Sequence, residues 1–307
     1  RAADACIFFD QGDFERAEAA FQKARELAPA NDPLRKDLSE RLAASVYKQA
    51  EARRSDGDGA WAVDAFLRVA ALSPDPTVRA TAEFDAAAQL LTLKQWDRAI
   101  PVLEGYRRSY PQDPRQADVT RNLAVAYSEA GRAGEAAAEF ERISSNPAED
   151  REVRREALQS AADLYQKAND SSRASAVLER FVKDFPSPLG PAIEARQKLA
   201  EFSARSGIRA REEYWQRELI KADATAGAGR TDRSRYLAAR SQLALATPSR
   251  DAFRGVRLVA PLKKSLAAKR KALDVALKAY KDAADYRVGE VTAAATYEMA
   301  ELYRTLG

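Results

Sequence analysis

The chain has 307 residues, of which 46% are hydrophobic and 31% are charged, and this balance excludes an intrinsically disordered chain. It contains no histidine and one cysteine, Cys6, which excludes intrachain disulfides and metal sites built from His and Cys ligands. The net charge of +4 is uneven: residues 229–307 carry 16 Lys and Arg against 8 Asp and Glu, whereas the remainder carries 34 against 38. The C-terminal quarter is therefore basic and the rest slightly acidic.

A pattern that first appears at residues 12–29, GDFERAEAAFQKARELAP, recurs four more times. Each occurrence has a key alanine, a large apolar residue four positions later and a closing proline. Intervals of 45, 37, 37 and 38 residues separate the key alanines, which is typical of stacked helical hairpins. The key alanines are Ala17, Ala62, Ala99, Ala136 and Ala174, the apolar residues Phe21, Phe66, Leu103, Phe140 and Leu178, and the prolines Pro29, Pro74, Pro111, Pro147 and Pro186.

The residue types explain how such a hairpin is built. Gly or Asn before the key alanine tolerates the left-handed backbone of a helix end. The alanine lets the two helices approach closely, and the proline ends the second helix because it lacks a donor. Small residues also mark the crossing points of the first helices, at Ala50, Ala87, Ala124 and Ala161, and the helix over residues 34–54 is predicted to be overlong.

At this point the sequence resembles the tetratricopeptide repeat (TPR) family. The resemblance rests on residues 12–29, on NLAVAYSEAGRAGEAAAEFERI at residues 122–143 and on ADLYQKANDSSRASAVLERFVKDFP at residues 162–186. It covers about two thirds of the chain and implies an all-α, right-handed solenoid of helical hairpins. The period departs from the family's usual length of about 34 residues by roughly one helical turn.

Three regions are expected along the chain. Residues 1–222 are predicted to form about six hairpins, of which the first is truncated and the sixth is degenerate, because Glu212 replaces the key alanine. The small, polar residues 223–235 are the expected linker. Residues 236–307 are expected to form a basic helical segment that continues beyond Gly307.

Within the basic segment, Thr247, Pro248 and Ser249 are predicted to break a helix that begins at Arg235. An apolar stripe at helical spacing then predicts one long helix, which Pro261 either kinks or starts. The stripe consists of Leu262, Leu266, Leu273, Leu277 and Tyr280.

Residues 184–202 are similar to TPR proteins of the bacterial cell envelope. Residues 263–304 resemble a stretch of large envelope TPR proteins that are found with TonB/ExbB/ExbD-type or gliding-motility systems. That resemblance implies a periplasmic or envelope location, with the cytoplasm as the alternative.

No catalytic constellation is apparent, because histidine is absent and no Gly-rich phosphate loop follows a strand. We therefore expect a non-enzymatic scaffold for protein–protein interaction, with protein partners and without a metal, a cofactor or a small-molecule substrate.

In the TPR family the first helices line a concave groove. Carried over to this chain, the groove positions are Tyr47, Glu51, Arg54, Phe84, Leu91, Arg121, Val125, Ser128, Gln159, Asp163, Gln197 and Glu201. The alternative to partner binding for Phe84 and Leu91 is packing against a neighbouring helix. For the charged groove positions the alternative is that they are simply solvated.

A basic cluster offers a second candidate surface. Its residues are Arg250, Arg254, Arg257, Lys263, Lys264, Lys269, Arg270 and Lys271. It is consistent with a solvated face, with contact to an acidic protein or an anionic surface, or with nucleic-acid binding, which the lack of interleaved aromatic residues makes the least favoured. Self-assembly through the long amphipathic helix is a further alternative, and the oligomeric state stays open.

Overall fold

The computed structural model describes residues 2–306, and within that range the chain is all-α, as predicted, without a strand. The α-helices follow one another with short connections, one of which contains a 3₁₀ turn at Gly227–Gly229. The helices are α1 (Ala2–Asp10), α2 (Phe14–Leu27), α3 (Leu34–Ser55), α4 (Gly59–Leu72), α5 (Pro76–Thr92), α6 (Trp96–Ser109), α7 (Gln116–Glu129), α8 (Ala133–Ser145), α9 (Arg151–Lys167), α10 (Ser171–Asp184), α11 (Leu189–Arg205), α12 (Arg209–Ala224), α13 (Asp232–Gly255), α14 (Leu262–Ala284) and α15 (Gly289–Leu306).

The chain forms two compact units, Arg1–Ala168 and Asn169–Gly307. Unit 1 contains α1–α9 and unit 2 contains α10–α15, and within each unit helices that follow one another in the chain pack together. The predicted linker, residues 223–235, lies inside unit 2 and comprises the end of α12, the 3₁₀ turn and the start of α13. No helix within residues 2–306 is both long and apolar enough to cross a lipid bilayer.

The key alanines all lie at helix crossings. Each of the five is 0% exposed, and the small residues predicted on the first helices are at most 1% exposed. Of the large apolar residues four positions later, Phe140 is half-buried and the others are buried. These positions are therefore packing residues, as their spacing indicates.

The turns inside the hairpins share one backbone solution. At the first of them Gly12 has a φ of +78°, its N–H donates to Phe9 O, and the N–H of Asp13 donates to Phe8 O. This is the Schellman geometry, which satisfies carbonyl groups at a helix end. Asp13 then caps α2, because its side chain accepts the N–H of Arg16 at 3.1 Å.

Three of the turns between helices have a residue other than glycine at the left-handed position. They are Lys94 between α5 and α6, Asn169 between α9 and α10, and Arg287 between α14 and α15, with φ of +55°, +59° and +55°. Asparagine tolerates this backbone, whereas lysine and arginine give no sequence signal for it. The turn at Arg287 makes α14 and α15 a hairpin, so the chain keeps its hairpin geometry within the basic segment.

Proline behaves in two ways. The five closing prolines each lie two residues after the end of a helix, as predicted. The predicted helix break at Thr247–Ser249 is wrong: α13 continues through Pro248 to Gly255. Proline removes one backbone hydrogen bond, but Ala246 and Phe253 on either side are 0% exposed in the core of unit 2, and that packing holds the helix together.

Pro261 starts the long helix and does not kink it, which is the second of the two alternatives given above. The interruption lies at residues 256–261, and Pro261 directly precedes α14, which has 23 residues. Helix α13, with 24 residues, and α3, with 22, are of similar length, and α3 confirms the prediction of an overlong helix.

Ion pairs join the second helices of successive hairpins in unit 1, helix α2 to α4, α4 to α6 and α6 to α8. They link Arg68 with Glu18, Arg98 with Asp64 at 2.9 Å, and Arg107 with Glu139 at 2.6 Å. Neighbouring hairpins are therefore tied together along this face.

Candidate functional site: the first-helix face

The predicted groove of unit 1 is the face formed by its first helices, α3, α5, α7 and α9. Contacts join these helices in chain order. The Tyr47 hydroxyl on α3 donates to Asp85 on α5, Arg115 before α7 donates to Thr81 on α5 at 3.3 Å, and Leu164 on α9 packs against the core formed by α5–α8. First helices thus contact first helices, while the ion pairs above join second helices.

Tyr47 and Arg54 are brought together by a residue that sequence reasoning missed. Tyr47 Oη lies 2.5 Å from Asp85 Oδ2, and Arg54 Nη1 lies 4.0 Å from Asp85 Oδ1. The Arg54 guanidinium lies 5.4 Å from the centre of the Phe66 ring, which the Tyr47 ring contacts edge-on at 5.3 Å. Burial and the neighbouring Asp85 carboxylate raise the pKa of Tyr47 well above its ordinary value.

A cavity of about 450 Å³ opens beside Tyr47 between α3 and the start of α5. Apolar atoms of Ala44, Tyr47 and Val78 form part of its wall. The remaining wall consists of Glu40, Lys48, Ser73, Asp75, Thr77 and Thr81. Its size lies within the range of roughly 300–1,000 Å³ that is usual for ligand pockets.

Phe84 and Leu91 pack inward. Both are partly buried against the core of unit 1. The Phe84 ring lies 5.8 Å from the Tyr106 ring, and the Arg115 guanidinium lies 5.4 Å from the Phe84 ring centre. The packing alternative therefore describes these two side chains, and they contribute structure to the face.

Arg115 is held in place by Asp113, which sequence reasoning also missed. The guanidinium donates from Nε at 2.9 Å and from Nη2 at 2.8 Å to the two carboxylate oxygens. The Arg115 guanidinium holds the pKa of the Asp113 carboxyl well below its usual range. Neither Asp113 nor Arg115 stands at a repeat position, so no sequence signal identifies them.

The other predicted positions of unit 1 differ in exposure and partners. Glu51 pairs with Lys48 at 2.8 Å on its own helix. Arg121 pairs with Asp118 at 2.7 Å and with Glu149 at 2.6 Å. The remaining positions are Val125, which is 50% exposed, Ser128, whose hydroxyl donates to Ala124 O at 2.7 Å, and the exposed Gln159 and Asp163.

In unit 2 the predicted positions lie on α11. Gln197 donates to Glu201 at 2.9 Å, and both line a cavity of about 240 Å³ together with residues of α12 and α13. Glu212 and Gln216 on α12 line this cavity and an adjoining one of about 430 Å³. The space opens where Glu212 replaces the key alanine of the sixth hairpin.

The basic cluster falls into two groups. Arg250, Arg254 and Lys269 have partners within unit 2: the first two face Glu298 at 3.2 and 3.9 Å, and Lys269 Nζ donates to Val256 O at 3.2 Å. The second group is exposed and forms no ion pair with the part of the chain that the structure describes. It consists of Arg257, Lys263, Lys264, Arg270 and Lys271.

The apolar stripe of α14 is largely used inside unit 2. Leu273 is 5% exposed and Tyr280 1% exposed, and Leu277 packs against the same core of α13, α14 and α15. Leu262, at the start of the helix, is 60% exposed. The stripe is therefore not available as the helix-pairing seam that the self-assembly alternative requires.

Within residues 2–306, no three His, Cys, Asp or Glu side chains lie close enough together to hold a metal ion.

No curated protein matches the chain. Among solved structures it is similar to a tetratricopeptide repeat protein from Parabacteroides merdae, at 13% identity, 98% coverage of this chain and 96% of that chain, with a TM-score of 0.31. It is also similar to the TPR-like repeats of a Podosopora anserina putative kinesin light chain, at 19% identity, 62% and 98% coverage, and a TM-score of 0.34.

A third similar structure is the TPR2AB domain of yeast Sti1 in complex with pHSP90, at 17% identity, 99% and 96% coverage, and a TM-score of 0.30. Identities and TM-scores this low carry no information on what the chain binds. A sequence model described as tetratricopeptide repeat matches residues 156–188, which contain the key alanine, apolar residue and proline of the fifth hairpin.

Proposed function

We propose that the chain is a non-catalytic scaffold that binds a segment of a partner protein on the first-helix face of unit 1. The observation that carries this proposal is the cavity of about 450 Å³ between α3 and α5, next to Tyr47. Ala44 and Val78 give it apolar walls that fit an apolar side chain of the partner. The charged wall residues have partners within the chain: Glu40 pairs with Lys36, Lys48 pairs with Glu51, and Asp75 caps α5.

The test is a pull-down with the full chain from cells that produce it, followed by calorimetry with the purified partner. Ala44→Arg places a long charged side chain in the cavity. Ala52→Arg on the same helix, at an exposed position, is the matched control. We expect Ala44→Arg to lose the partner by about ten-fold or more in affinity, and Ala52→Arg to retain it. Equal binding by both variants contradicts the proposal.

A place in a bacterial envelope complex is a finer proposal, supported by the resemblance of residues 184–202 and 263–304 alone. Fractionation of the producing cells tests it: recovery of the protein with the periplasmic or membrane fraction agrees with the proposal, and recovery with cytoplasmic proteins contradicts it.

A further inference from the structure

The connection between α13 and α14 exposes apolar side chains. It comprises residues 256–261 and the first turn of α14, and is called the basic loop below. Leu258 is 47% exposed, Val259 59% and Leu262 60%. Elsewhere in the described chain no five consecutive residues contain three exposed large apolar side chains.

Contacts at its base hold the basic loop in place. Lys269 Nζ donates to Val256 O and lies 4.9 Å from the ring centre of Phe253, which is fully buried. The Ser265 hydroxyl donates to Val259 O at 2.7 Å and accepts the Val259 N–H at 3.2 Å. The backbone of the loop is fixed by these bonds, yet its apolar side chains remain outside the core.

Cations flank the apolar group along the sequence. Residues 252–273 contain seven Lys and Arg and no Asp or Glu. Arg257 lies directly before Leu258, and Lys263 and Lys264 directly follow Leu262. These three cations are exposed and without an ion pair in the described chain, as are Arg270 and Lys271 two turns along α14.

We propose that the basic loop docks unit 2 on the surface of an anionic lipid bilayer. Leu258, Val259 and Leu262 enter the boundary between headgroups and acyl chains, and the cations on either side contact lipid phosphates. Apolar burial and attraction to anionic lipids add together in peripheral membrane binding. This surface is separate from the face proposed for the protein partner and does not depend on it.

A bilayer fits the loop better than the other anionic partners. Nucleic acid would use the cations but would leave the leucines and valine in water, and no aromatic side chain lies in residues 254–273 to stack on a base. An acidic protein would need a cavity shaped for three apolar side chains at fixed positions. A fluid bilayer accepts them without such a match.

The test is vesicle flotation with the full chain. One set of vesicles contains phosphatidylcholine alone, and the other contains equal parts of phosphatidylcholine and phosphatidylglycerol. We expect binding to the anionic set to exceed binding to the neutral set by about ten-fold or more, and to weaken with salt. Absence of binding to the anionic vesicles overturns the proposal.

Two variants separate apolar insertion from simple charge attraction. Val259→Ser/Leu262→Ser keeps every charge, and we expect it to lose about ten-fold in vesicle binding. The control is Val275→Ser, at an exposed valine of α14 that lies outside the basic loop. If the double variant binds vesicles as tightly as the wild type, the proposal is wrong. Circular dichroism shows whether each variant keeps its helices.

A charge pair of variants completes the design. Lys263→Glu/Lys264→Glu should abolish flotation, whereas Lys278→Glu/Lys281→Glu, with the same change of net charge further along α14, should reduce it less. Duplex DNA and polyglutamate are the competing ligands. Binding of either that is tighter than vesicle binding, and that is lost in Lys263→Glu/Lys264→Glu, assigns the loop to that ligand and overturns the proposal.

Discussion

The hydroxyl of Tyr47 on α3 donates a 2.5 Å hydrogen bond to the carboxylate of Asp85 on α5. The two residues are 38 positions apart, so the bond links successive hairpins and fixes the wall of the cavity between them. Arg54 approaches the same carboxylate and is thereby held against the Phe66 ring. The two predicted groove residues Tyr47 and Arg54 therefore share Asp85 as a partner, and this contact fixes where their side chains lie.

Tyr47→Phe removes this donor, so that of the two partners of Asp85 only Arg54 is left. Hydrogen bonds to charged groups contribute about 1.5–3 kcal/mol, and we expect the lower end here because both side chains are partly exposed. Urea unfolding at neutral pH measures the loss. Tyr303→Phe, at a 60% exposed tyrosine on α15, is the control and should change nothing. Equal stability of Tyr47→Phe and wild type would show that the bond is not stabilising.

Alkaline pH should destabilise the chain through its buried tyrosines. Burial, followed by the hydrogen bond to Glu104, raises the pKa of Tyr127 from 10.0 to about 12. Between these two values the folded chain binds more protons than the unfolded chain, so the free energy of unfolding falls as pH rises. The stability that the raised pKa of Tyr127 contributes is fully present below pH 10 and is lost as the pH rises through about 12. In Tyr127→Phe the free energy of unfolding should fall less steeply over this window, and an unchanged slope contradicts the assignment.

The left-handed turns predict two substitutions of opposite sign. Gly131 has a φ of +74°, and a Cβ there would meet no atom within 4 Å. Gly131→Ala should therefore cost about 1 kcal/mol through backbone strain alone. Lys94 has the same kind of backbone without a glycine, and Lys94→Gly should stabilise by a few tenths of a kcal/mol up to about 1. Thermal unfolding of both variants decides, and shifts of the same sign would contradict the turn geometry.

The crossing alanines predict a further asymmetry. Ala136→Glu would bury a carboxylate at a position that is 0% exposed, and should cost about 3 kcal/mol or more. Glu212, at the equivalent position of the sixth hairpin, is half-buried in a cavity wall, so Glu212→Ala should change stability by about 0.5 kcal/mol or less. Comparable losses in the two variants would show that the sixth crossing is as tight as the fourth.

Much of the fold follows from local sequence. Gly12 and Asp13 specify a turn and a cap, Ala17 specifies a close crossing, and Pro29 ends the helix, all within one short stretch. Where such local rules failed, packing outweighed them. The cost of Pro248 inside α13 is offset by the buried Phe253, and the strain at Arg287 is small enough to be tolerated in the α14–α15 turn.

The candidate site was less predictable, because it depends on contacts between distant residues. Nothing near Tyr47 in sequence indicates Asp85, and nothing near Arg250 indicates Glu298, 48 positions away. Local sequence therefore could not separate the paired cations of the basic cluster from those left exposed. The partner of the first-helix face stays a proposal for the same reason, since a repeat pattern specifies how helices cross and leaves the outward side chains unconstrained.

The ion pairs between second helices have a mechanical consequence for unit 1. Arg68 with Glu18 and Arg98 with Asp64 are partly exposed to solvent, so dissolved salt weakens them, whereas the third pair, Arg107 with Glu139, is largely buried and is screened less. The joints between hairpins also have dry cores, because Ala82 and Ala86 of α5 are fully buried against α3 and α4. We therefore expect dissolved salt to loosen only the second-helix face of unit 1, at the α2–α4 and α4–α6 pairs, and to leave the packed joints intact.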